Sequence, residues 1–342
     1  MSRVLNTALD TVLDGQDLTT AQASEVLVEL ANPDCPESLA GAMLAAMRAK
    51  GETADEIRGL AQAMRHLAKS PDLDDGPGYT DIVGTGGDGS GSLNISTGAA
   101  LLAAACGVPV VKHGNRAVSS SSGSADVLER LGLQLPLDEQ AAADYLRMTG
   151  FTFLFAPYYH PAMKSLAAVR RSMGVRTVFN ILGPLTNPAR PPYNLIGAYS
   201  PRMAELMAAA LAGMEIKRAF VIHGEPGWDE ATPVGPFLLF DVREGRVTRQ
   251  QRDPEEWGLA RCSAESLAGG DAAVNAARLQ AVLQGSETGP HQDALVLGAA
   301  LTLELTGRCQ TPREAVARAR AAIDDGSAAR LLKRMAEAGG RR

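Results

Sequence analysis

The stretch DIVGTGGDGSGSLNISTGAALLAAACG, from Asp81 to Gly107, joins a short apolar run, a glycine-rich loop and an apolar helical pattern without interruption. A β-rich run that leads through a polar loop into a helix is typical of the first half of a βαβ unit. The same rhythm continues in the runs VPVV, FTFLF, NLIGAY and AFVIH, which helical or loop material separates. This alternation predicts a mainly parallel sheet covered by helices.

The sequence on either side of this region has a different pattern. Before it, apolar residues at helical spacing and two capping boxes, Thr19 with Gln22 and Thr53 with Glu56, predict a set of helices. The joint SPDLDDGPG then separates these helices from the β-rich part. After it, FLLFDV and RVTRQQ predict a hairpin, and helices are expected from about Asp271 to Arg334. The predicted fold is α/β: a small all-helical domain plus a larger α/β domain with a mainly parallel central sheet flanked by helices.

Composition restricts the possible classes of protein. The 342 residues carry a net charge of -6 with a sequence pI of about 5.5, which argues against a general nucleic-acid binder. Four scattered cysteines without a C-x-x-C pair indicate reduced thiols. The N-terminal residues lack the apolar core of a signal peptide, and no apolar run approaches the roughly 20 residues of a membrane span. We therefore expect a soluble, cytoplasmic protein.

The loop GTGGDG, Gly84 to Gly89, has three interpretations. It fits the dinucleotide pattern G-x-G-x-x-G, but that pattern needs its third glycine in the helix and an acid about 20 residues on. Here the helix pattern starts only near Ile95, and the next strand ends in Lys112-His113. A P-loop fails because the chain has no Gly-Lys dipeptide. A turn that is rich in glycine for structural reasons alone stays possible.

Neighbouring residues favour a phosphate-rich ligand. Hydroxyl and amide side chains stand at the predicted helix start, where backbone N–H groups point outward, although one of them is also expected to cap the helix. Cationic and hydroxyl side chains fill the loop after the next strand. Loops at the carboxyl ends of neighbouring parallel strands form one crevice. The residues concerned are Ser92, Asn94, Ser96 and Thr97 in the first loop, and Lys112, His113, Asn115, Arg116 and Ser119 to Ser122 in the second.

Three acidic residues accompany these loops. Asp88 lies among the glycines, and the adjacent Asp229 and Glu230 follow the strand AFVIH. Adjacent acids after a strand are usually solvated, which is our expectation for this pair. Beside a phosphate site they gain a second interpretation, because Mg²⁺ is typically held by one or two carboxylates together with substrate phosphates.

The motifs closely resemble those of the anthranilate phosphoribosyltransferase family of tryptophan biosynthesis. The resemblance rests on GTGGDG, NIST, KHGNRAVSS with GSADVLERLG, FLFAPYYHPAMK, VRRSMGVRTVFNILGPLTNP and GWDE, in order from about Asp81 to Glu230. LAGGDAAVNA, Leu267 to Ala276, is similar to a later stretch of the family. The resemblance implies that the amine of anthranilate attacks C1 of 5-phosphoribosyl 1-diphosphate (PRPP), giving N-(5-phosphoribosyl)anthranilate and diphosphate.

The resemblance also implies roles for individual residues. Those expected to bind PRPP are Gly84, Gly87, Asp88, Ser92, Asn94, Ile95, Ser96, Thr97, Lys112, His113, Gly114, Asn115, Arg116, Ala117, Val118, Ser119, Ser120 and Ser124. Those expected to bind anthranilate are Gly84, Asn115, His160, Arg170 and Pro184. Ser96, Asp229 and Glu230 correspond to the positions associated with Mg²⁺. Proton transfer by His113 or His160 stays open, and neither is assigned as a catalytic base.

The family architecture implies a division of the chain and an assembly. Residues 1–72 with about 161–190 would form the helical domain, and residues 73–160 with about 191–342 the PRPP-binding α/β domain. A homodimer through the helical part is expected, with no nucleic acid or membrane partner. Leu93, Ser121, Trp228 and Val274 depart from residues common in the family, which puts fine affinity in doubt rather than the reaction.

Two rival functions remain open at this point. A nucleoside phosphorylase of the related fold would use phosphate and a pyrimidine nucleoside, whereas NIST, KHGNR and FNILGPLTNP favour the anthranilate enzyme. Some relatives with this fold bind nucleic acid instead, and the acidic total argues against that here.

Overall fold

The computed structural model describes residues 2–74, 78–117 and 121–340. The chain begins with a bundle of four helices, in which α2 packs closely on α4. Both predicted capping boxes are confirmed: the Thr19 and Thr53 hydroxyls accept from the N–H groups of Gln22 and Glu56, whose side chains accept in return. The four helices are α1 (Arg3–Leu13), α2 (Thr20–Leu30), α3 (Glu37–Lys50) and α4 (Ala54–Leu67).

A seven-stranded sheet forms the centre of the rest of the chain. Its strand order is β3-β2-β1-β4-β5-β6-β7. The first five strands in this order, β3, β2, β1, β4 and β5, run parallel to their neighbours. Strands β6 and β7 extend the sheet beyond β5 as the predicted antiparallel hairpin. The mainly parallel sheet is therefore confirmed. Its strands are β1 (Thr80–Gly84), β2 (Val110–Gly114), β3 (Phe151–Phe155), β4 (Tyr193–Gly197), β5 (Arg218–Gly224), β6 (Phe237–Arg243) and β7 (Arg246–Arg252).

Helices cover both faces of this sheet, and two further helices contact the bundle. The helices after the bundle are α5 (Ile95–Ala105), α6 (Ser124–Arg130), α7 (Glu139–Thr149), α8 (Ala156–Tyr159), α9 (Leu166–Met173), α10 (Phe179–Leu182), α11 (Pro201–Ala212), α12 (Ala272–Leu283), α13 (Pro290–Leu305), α14 (Pro312–Asp324) and α15 (Ser327–Gly339). The two further helices are α9 and α10, which contact the bundle helices α3 and α4. No helix in the described ranges has both the length and the low polarity that crossing a bilayer requires.

Alternate residues of the central strands enter two separate hydrophobic cores. Leu195 of β4 faces a core formed with α5, α13 and α15, whereas its neighbour Ile196 faces the opposite side. This second core is continuous with the helical bundle through α11 and through α9 and α10. The part of the chain from Leu166 to Leu185, between β3 and β4, thus returns to pack its apolar side chains with α1 to α4.

The sheet reverses its direction of winding between β1 and β4. The chain leaves β1 toward β2 on one side and leaves β4 toward β5 on the other, although β1 and β4 are hydrogen-bonded neighbours. Ligands of open α/β sheets bind at such a switch point, beyond the carboxyl ends of the strands. The glycine-rich loop follows β1 at this place.

Candidate active site

The adjacent strands β1, β4 and β5 each end in a glycine, and at each position a side chain would clash with a neighbouring residue. A Cβ on Gly84 would lie 2.3 Å from Asp229 Oδ2, and one on Gly197 would lie 1.6 Å from the Asp229 carbonyl oxygen. A Cβ on Gly224 would lie 2.1 Å from the Glu230 carbonyl oxygen. These distances are far below van der Waals contact, so only glycine permits the approach. The segment that carries the two acids therefore crosses the carboxyl ends of three neighbouring strands.

The glycine loop takes its shape from left-handed backbone conformations. Gly86 and Gly87 have φ values of +68° and +75°, which residues with a side chain rarely adopt. The N–H of Gly86 donates to Asp229 Oδ2 at 2.6 Å, and the carbonyl of Gly87 accepts from Arg176 Nη2. The structural interpretation of the glycines is thus correct for the shape of the loop, and the loop also holds one of the two acids.

Asp229 is buried and Glu230 is half-buried, so the expectation that both acids are solvated is wrong. Asp229 is 7% exposed, and the buried Trp228 anchors the segment below the strand ends. Burial, followed by the charges of Glu230 and Asp88, raises the pKa of Asp229 well above its usual range. Burial also raises the pKa of Glu230 to about 7, although the charge of Lys112 opposes the shift. The carboxylates of Asp229 and Glu230 thus lie in poorly solvated positions.

The donor chemistry of Asp88, Asp229 and Glu230 fits a hard divalent cation. The backbone N–H of Asp229 donates to Asp88 Oδ2 at 3.4 Å, which brings the Asp88 carboxylate to the segment that carries the acid pair. None of the three acids forms an ion pair in the described ranges. No group of three or more His, Cys, Asp or Glu side chains could enclose a metal ion by itself in the part of the chain that the structure describes. Mg²⁺ characteristically completes such partial oxygen sets with water and substrate phosphates.

The N-terminus of α5 points into the same crevice. Asn94 occupies the N-cap position, but its side chain makes no cap bond. Instead Asn94 Nδ2 donates to the carbonyl of Ser122 at 3.2 Å, and its Oδ1 accepts from Asn275 Nδ2 at 2.8 Å. Glu230 Oε1 accepts from the N–H of Ser96 at 3.0 Å. The expectation that a Ser or Asn side chain caps this helix is therefore wrong, because a distant acid takes that role and brings Ser96 to Glu230.

The other residues predicted to bind the ligand in the first loop are either buried or in contact with residues 268–275. Ile95 and Thr97 are 1% exposed, so their side chains are not open to solvent in the crevice. Ser92 forms an isolated β-bridge with Ala268 of the stretch LAGGDAAVNA. Ser121 Oγ donates to the carbonyl of Gly270 at 2.9 Å. Residues 268–275 therefore form a wall of the crevice.

Lys112 is a buried cation beneath the strand ends. Its side chain is 2% exposed, and Nζ donates to the carbonyl of Ile82. Burial lowers its pKa, against the opposing charges of Asp81, Glu230 and Asp229. Lys112 therefore offsets part of the negative charge of Asp81, Glu230 and Asp229.

The rest of the β2 loop is turned mainly toward α6. Arg116 pairs with Glu129 through two bonds of 2.5 and 2.6 Å and with Asp126 at 3.1 Å, so the structure does not bring its guanidinium into the crevice. The Ala117 N–H donates to Asp126, and Ser124 Oγ donates to the carbonyl of Asn115 at 3.3 Å. Gly114 ends β2, where a Cβ would lie 2.5 Å from Ser124 Oγ. Val118, Ser119 and Ser120 lie outside the described residues.

Two histidines lie together on the far side of the crevice. The ring centroids of His113 and His160 are 5.1 Å apart, and His113 Nδ1 lies 3.3 Å from the carbonyl of Gly183, next to the buried Pro184. Burial lowers the pKa of His113 to about 3 and that of His160 to about 4. Both imidazoles are therefore neutral at pH 7, and with such low pKa values they are weak bases.

Arg170 lies on α9, away from the histidines along the same segment. Its guanidinium carbon is 4.9 Å from the ring centroid of Phe179. Arg171 is also exposed and forms no ion pair or hydrogen bond through its side chain in the described ranges. The two arginines thus differ in their surroundings, as expected for neighbours on a helix.

Sequence reasoning missed several contacts of this site. Arg176, Tyr199, Asn275 and Arg65 were not singled out, although Arg176 and Asn275 stand inside quoted motifs. Arg65 of α4 is 7% exposed, and its Nε donates to the carbonyl of Leu185 at 2.7 Å. Its position in an apolar helical stripe gave no signal of this contact.

A helical bundle packed on an α/β sheet, with an acid pair at the strand ends, corresponds to a known class of enzyme. A family model described as "Glycosyl transferase family, helical bundle domain" matches residues 6–68, and one described as "Glycosyl transferase family, a/b domain" matches residues 76–329. Together these matches define the chain as a glycosyl transferase with a helical and an α/β domain.

Individual relatives narrow this class. Anthranilate phosphoribosyltransferase of Herpetosiphon aurantiacus is 45% identical, over 97% of this chain and 98% of its own. The crystal structure of the Thermus thermophilus enzyme of that name superposes with a TM-score of 0.91 at 42% identity, covering 97% of this chain and 99% of its own. The Saccharomyces cerevisiae enzyme in complex with PRPP and Mg gives a TM-score of 0.91 at 27% identity, covering 100% and 99%. The chain therefore belongs to the anthranilate phosphoribosyltransferase family, the transferases that attach a phosphoribosyl group to anthranilate in tryptophan biosynthesis.

Proposed function

We propose that this chain aligns PRPP and anthranilate across the crevice between the glycine loop and the segment from His160 to Pro184. The observation that carries the proposal is the pair of Asp229 and Glu230, which contacts both the glycine loop and the N-terminus of α5. Such an arrangement presents backbone N–H groups and a cation-seeking pair of carboxylates to one ligand. PRPP has the matching chemistry, a diphosphate and a 5-phosphate on one ribose.

The donor would bind along the loops after β1 and β2. Gly84, Gly87, Asp88 and Ser92 line the first loop, and the positive end of the α5 helix dipole favours an anion. In the second loop, Lys112 supplies the buried positive charge. For Arg116 to reach a phosphate, its bonds to Glu129 and Asp126 must break or rearrange.

Magnesium would be held by Asp229 and Glu230, near Ser96, together with oxygen atoms of the diphosphate. When bound, the ion supplies charge neutralisation for the departing diphosphate. The protein supports this role by fixing one oxygen of each acid: Gly86 N–H holds Asp229, and Ser96 N–H holds Glu230. Two fixed carboxylates repel diphosphate in the absence of a cation.

The acceptor would enter beside Asn115, His160, Arg170 and Pro184, with Gly84 between the two substrates. An aromatic amine is a neutral nucleophile, so the reaction needs no strong base to create it. The nitrogen bonds to C1 as the C1–O bond to diphosphate breaks, and the nitrogen then loses its proton. Alignment of the substrates and stabilisation of the departing charge therefore do most of the catalysis. The low pKa values of His113 and His160 agree with this division of labour.

We also propose the division of the chain into residues 1–72 with about 161–190 and residues 73–160 with about 191–342. Support comes from the shared core of α1 to α4 with α9 and α10. A homodimer through the bundle is proposed as well, where Leu13 of α1 and Val28 of α2 are 66% and 45% exposed. Light scattering of wild type and of Leu13→Glu/Val28→Glu tests it. A monomeric wild type would contradict the proposal.

The decisive test of function is anthranilate fluorescence in the presence of the protein. Fluorescence should fall only when PRPP and Mg²⁺ are both present, because the amine is then consumed. Thymidine with phosphate should give no thymine, and DNA should be retained on a filter only weakly and in a salt-sensitive way. Thymine release without loss of anthranilate would identify a nucleoside phosphorylase instead.

The metal assignment has its own test. Asp229→Asn/Glu230→Gln keeps an oxygen for each backbone N–H and removes the repulsion between buried charges, so the fold should be retained. Most activity should be lost, and the remainder should need much more Mg²⁺, whereas anthranilate binding should change little. Titration of activity against Mg²⁺ for both proteins measures this. An unchanged Mg²⁺ dependence would remove the acid pair from the mechanism.

A further inference from the structure

Two opposite charges hold the backbone of two consecutive residues of the glycine loop, Gly86 and Gly87. Asp229 accepts from the N–H of Gly86, and Arg176 donates through Nη2 to the carbonyl of Gly87. Both glycines adopt left-handed backbone conformations. Because glycine has no side chain, its backbone can also adopt many other conformations. The loop therefore depends on outside contacts for a single shape, and Arg176 supplies one of them.

The Arg176 side chain stacks on the ring of Tyr199, a residue whose backbone also contacts the glycine loop. The guanidinium carbon lies 4.7 Å from the ring centroid of Tyr199. The Tyr199 N–H donates to Thr85 Oγ1 at 3.2 Å, and the Thr85 N–H donates to the carbonyl of Gly197 at 3.0 Å. A planar guanidinium can stack on the ring and donate to the loop at the same time, which a lysine ammonium does less well.

The other end of this contact belongs to the acceptor side. Arg176 lies between α9 and α10, and the neighbouring Val178 and Phe179 are buried in the core that contains the helical bundle. Arg170, on α9, stacks on Phe179. The Arg176 bond thus crosses from the segment assigned to anthranilate to the loop assigned to PRPP.

We propose that Arg176 is a positioning residue that fixes the glycine loop in the conformation that receives PRPP and links this loop to the acceptor segment. The inference rests on the proposed function for its substrate, and on the loop contacts for its mechanism. Arg176 acts through the loop backbone, so it governs PRPP binding without forming part of the anthranilate site.

The test compares Arg176→Met, Arg176→Lys and the control Arg171→Met. Hydrogen exchange of peptides covering residues 84–92 in the substrate-free protein reports the order of the loop. We expect exchange in Arg176→Met to be faster by about tenfold, as for loss of a charged hydrogen bond. We also expect the KM for PRPP to rise by about tenfold and the KM for anthranilate by less than about twofold. Arg176→Lys should restore part of both effects, and Arg171→Met should match wild type.

Unchanged loop exchange in Arg176→Met would overturn the proposal, as would an equal rise in both KM values. Failure of the proposed function has a different signature. In that case wild type would not consume anthranilate with PRPP, while the difference in loop exchange between wild type and Arg176→Met would persist.

Discussion

Gly84→Ala should disturb the acid pair even though it adds only one methyl group. The new Cβ would lie 2.3 Å from Asp229 Oδ2, whereas ordinary contact begins at 3.4 Å. The carboxylate must therefore move by about 1 Å, which breaks its 2.6 Å bond to the Gly86 N–H. Overpacking costs about 1–3 kcal/mol, and a bond to a charged group contributes about 1.5–3 kcal/mol. Because the same displacement causes both losses, we expect about 2–4 kcal/mol rather than their sum.

Urea unfolding of a double-mutant cycle measures this coupling. In an Asp229→Ala background the methyl group no longer meets a carboxylate, so Gly84→Ala should then cost less than about 1 kcal/mol. Gly89→Ala is the matched control: Gly89 has φ +72°, and a Cβ there would have no neighbour within 4 Å, so its cost of about 1–2 kcal/mol is backbone strain alone. That cost should be the same in both backgrounds.

Activity gives the second measurement of the same displacement. Gly84→Ala should need more Mg²⁺ for half-maximal rate, since one carboxylate has moved. Equal costs of Gly84→Ala in the wild-type and Asp229→Ala backgrounds would refute the steric reasoning, and the glycine would then need another explanation.

Three further outcomes are expected. Lys112→Met should lower stability by about 3 kcal/mol in urea unfolding, because it leaves buried acids without their cation, and should weaken PRPP binding far more than anthranilate binding. Equal loss for both substrates would indicate general unfolding instead. Arg170→Ala should raise the KM for anthranilate and Arg171→Ala should not; similar behaviour of the two variants would contradict the assignment. Burial holds the pKa of His160 near 4, against 6.5 in the unfolded chain, so the unfolded state binds the extra proton between these values. The contribution of His160 to stability should therefore fall as pH decreases from about 6.5 to 4, while the raised pKa of Glu230 contributes in the opposite direction. The difference in unfolding free energy between His160→Gln and wild type, measured in urea, should shift in favour of the variant over this range; a difference that does not change with pH would contradict this.

The fold could be predicted from the sequence because its signals are local. The capping boxes at Thr19 and Thr53 need only four residues each, and the β-rich runs carry their own spacing. The crevice was also predictable, since parallel strands place successive loops at one edge. These features depend on contacts that are close in the chain or on a general rule of sheet topology.

The environment of the acids could not be predicted in this way. The bond between Glu230 and Ser96 joins residues 134 positions apart, and that between Asp229 and Gly86 joins residues 143 apart. Neither Asp nor Glu in a local window indicates burial, so the pair was expected in solvent. Arg176 was missed for the same reason, because its partner Gly87 lies 89 positions away and offers only a carbonyl.

The passage of Asp229 and Glu230 over three strand ends also restricts how such an enzyme can vary. Carbonyl oxygens of this segment occupy the places where side chains of Gly197 and Gly224 would be. A replacement at either position would shift both acids together, although Gly197 lies on a different strand from the one that leads into their loop. Insertions between β5 and the acid pair would change the path in the same way. In directed evolution, changes of metal preference should therefore come from exchanging Asp and Glu at positions 229 and 230 while the backbone of this segment keeps its path. Libraries that vary the glycines at the strand ends should be depleted of active clones.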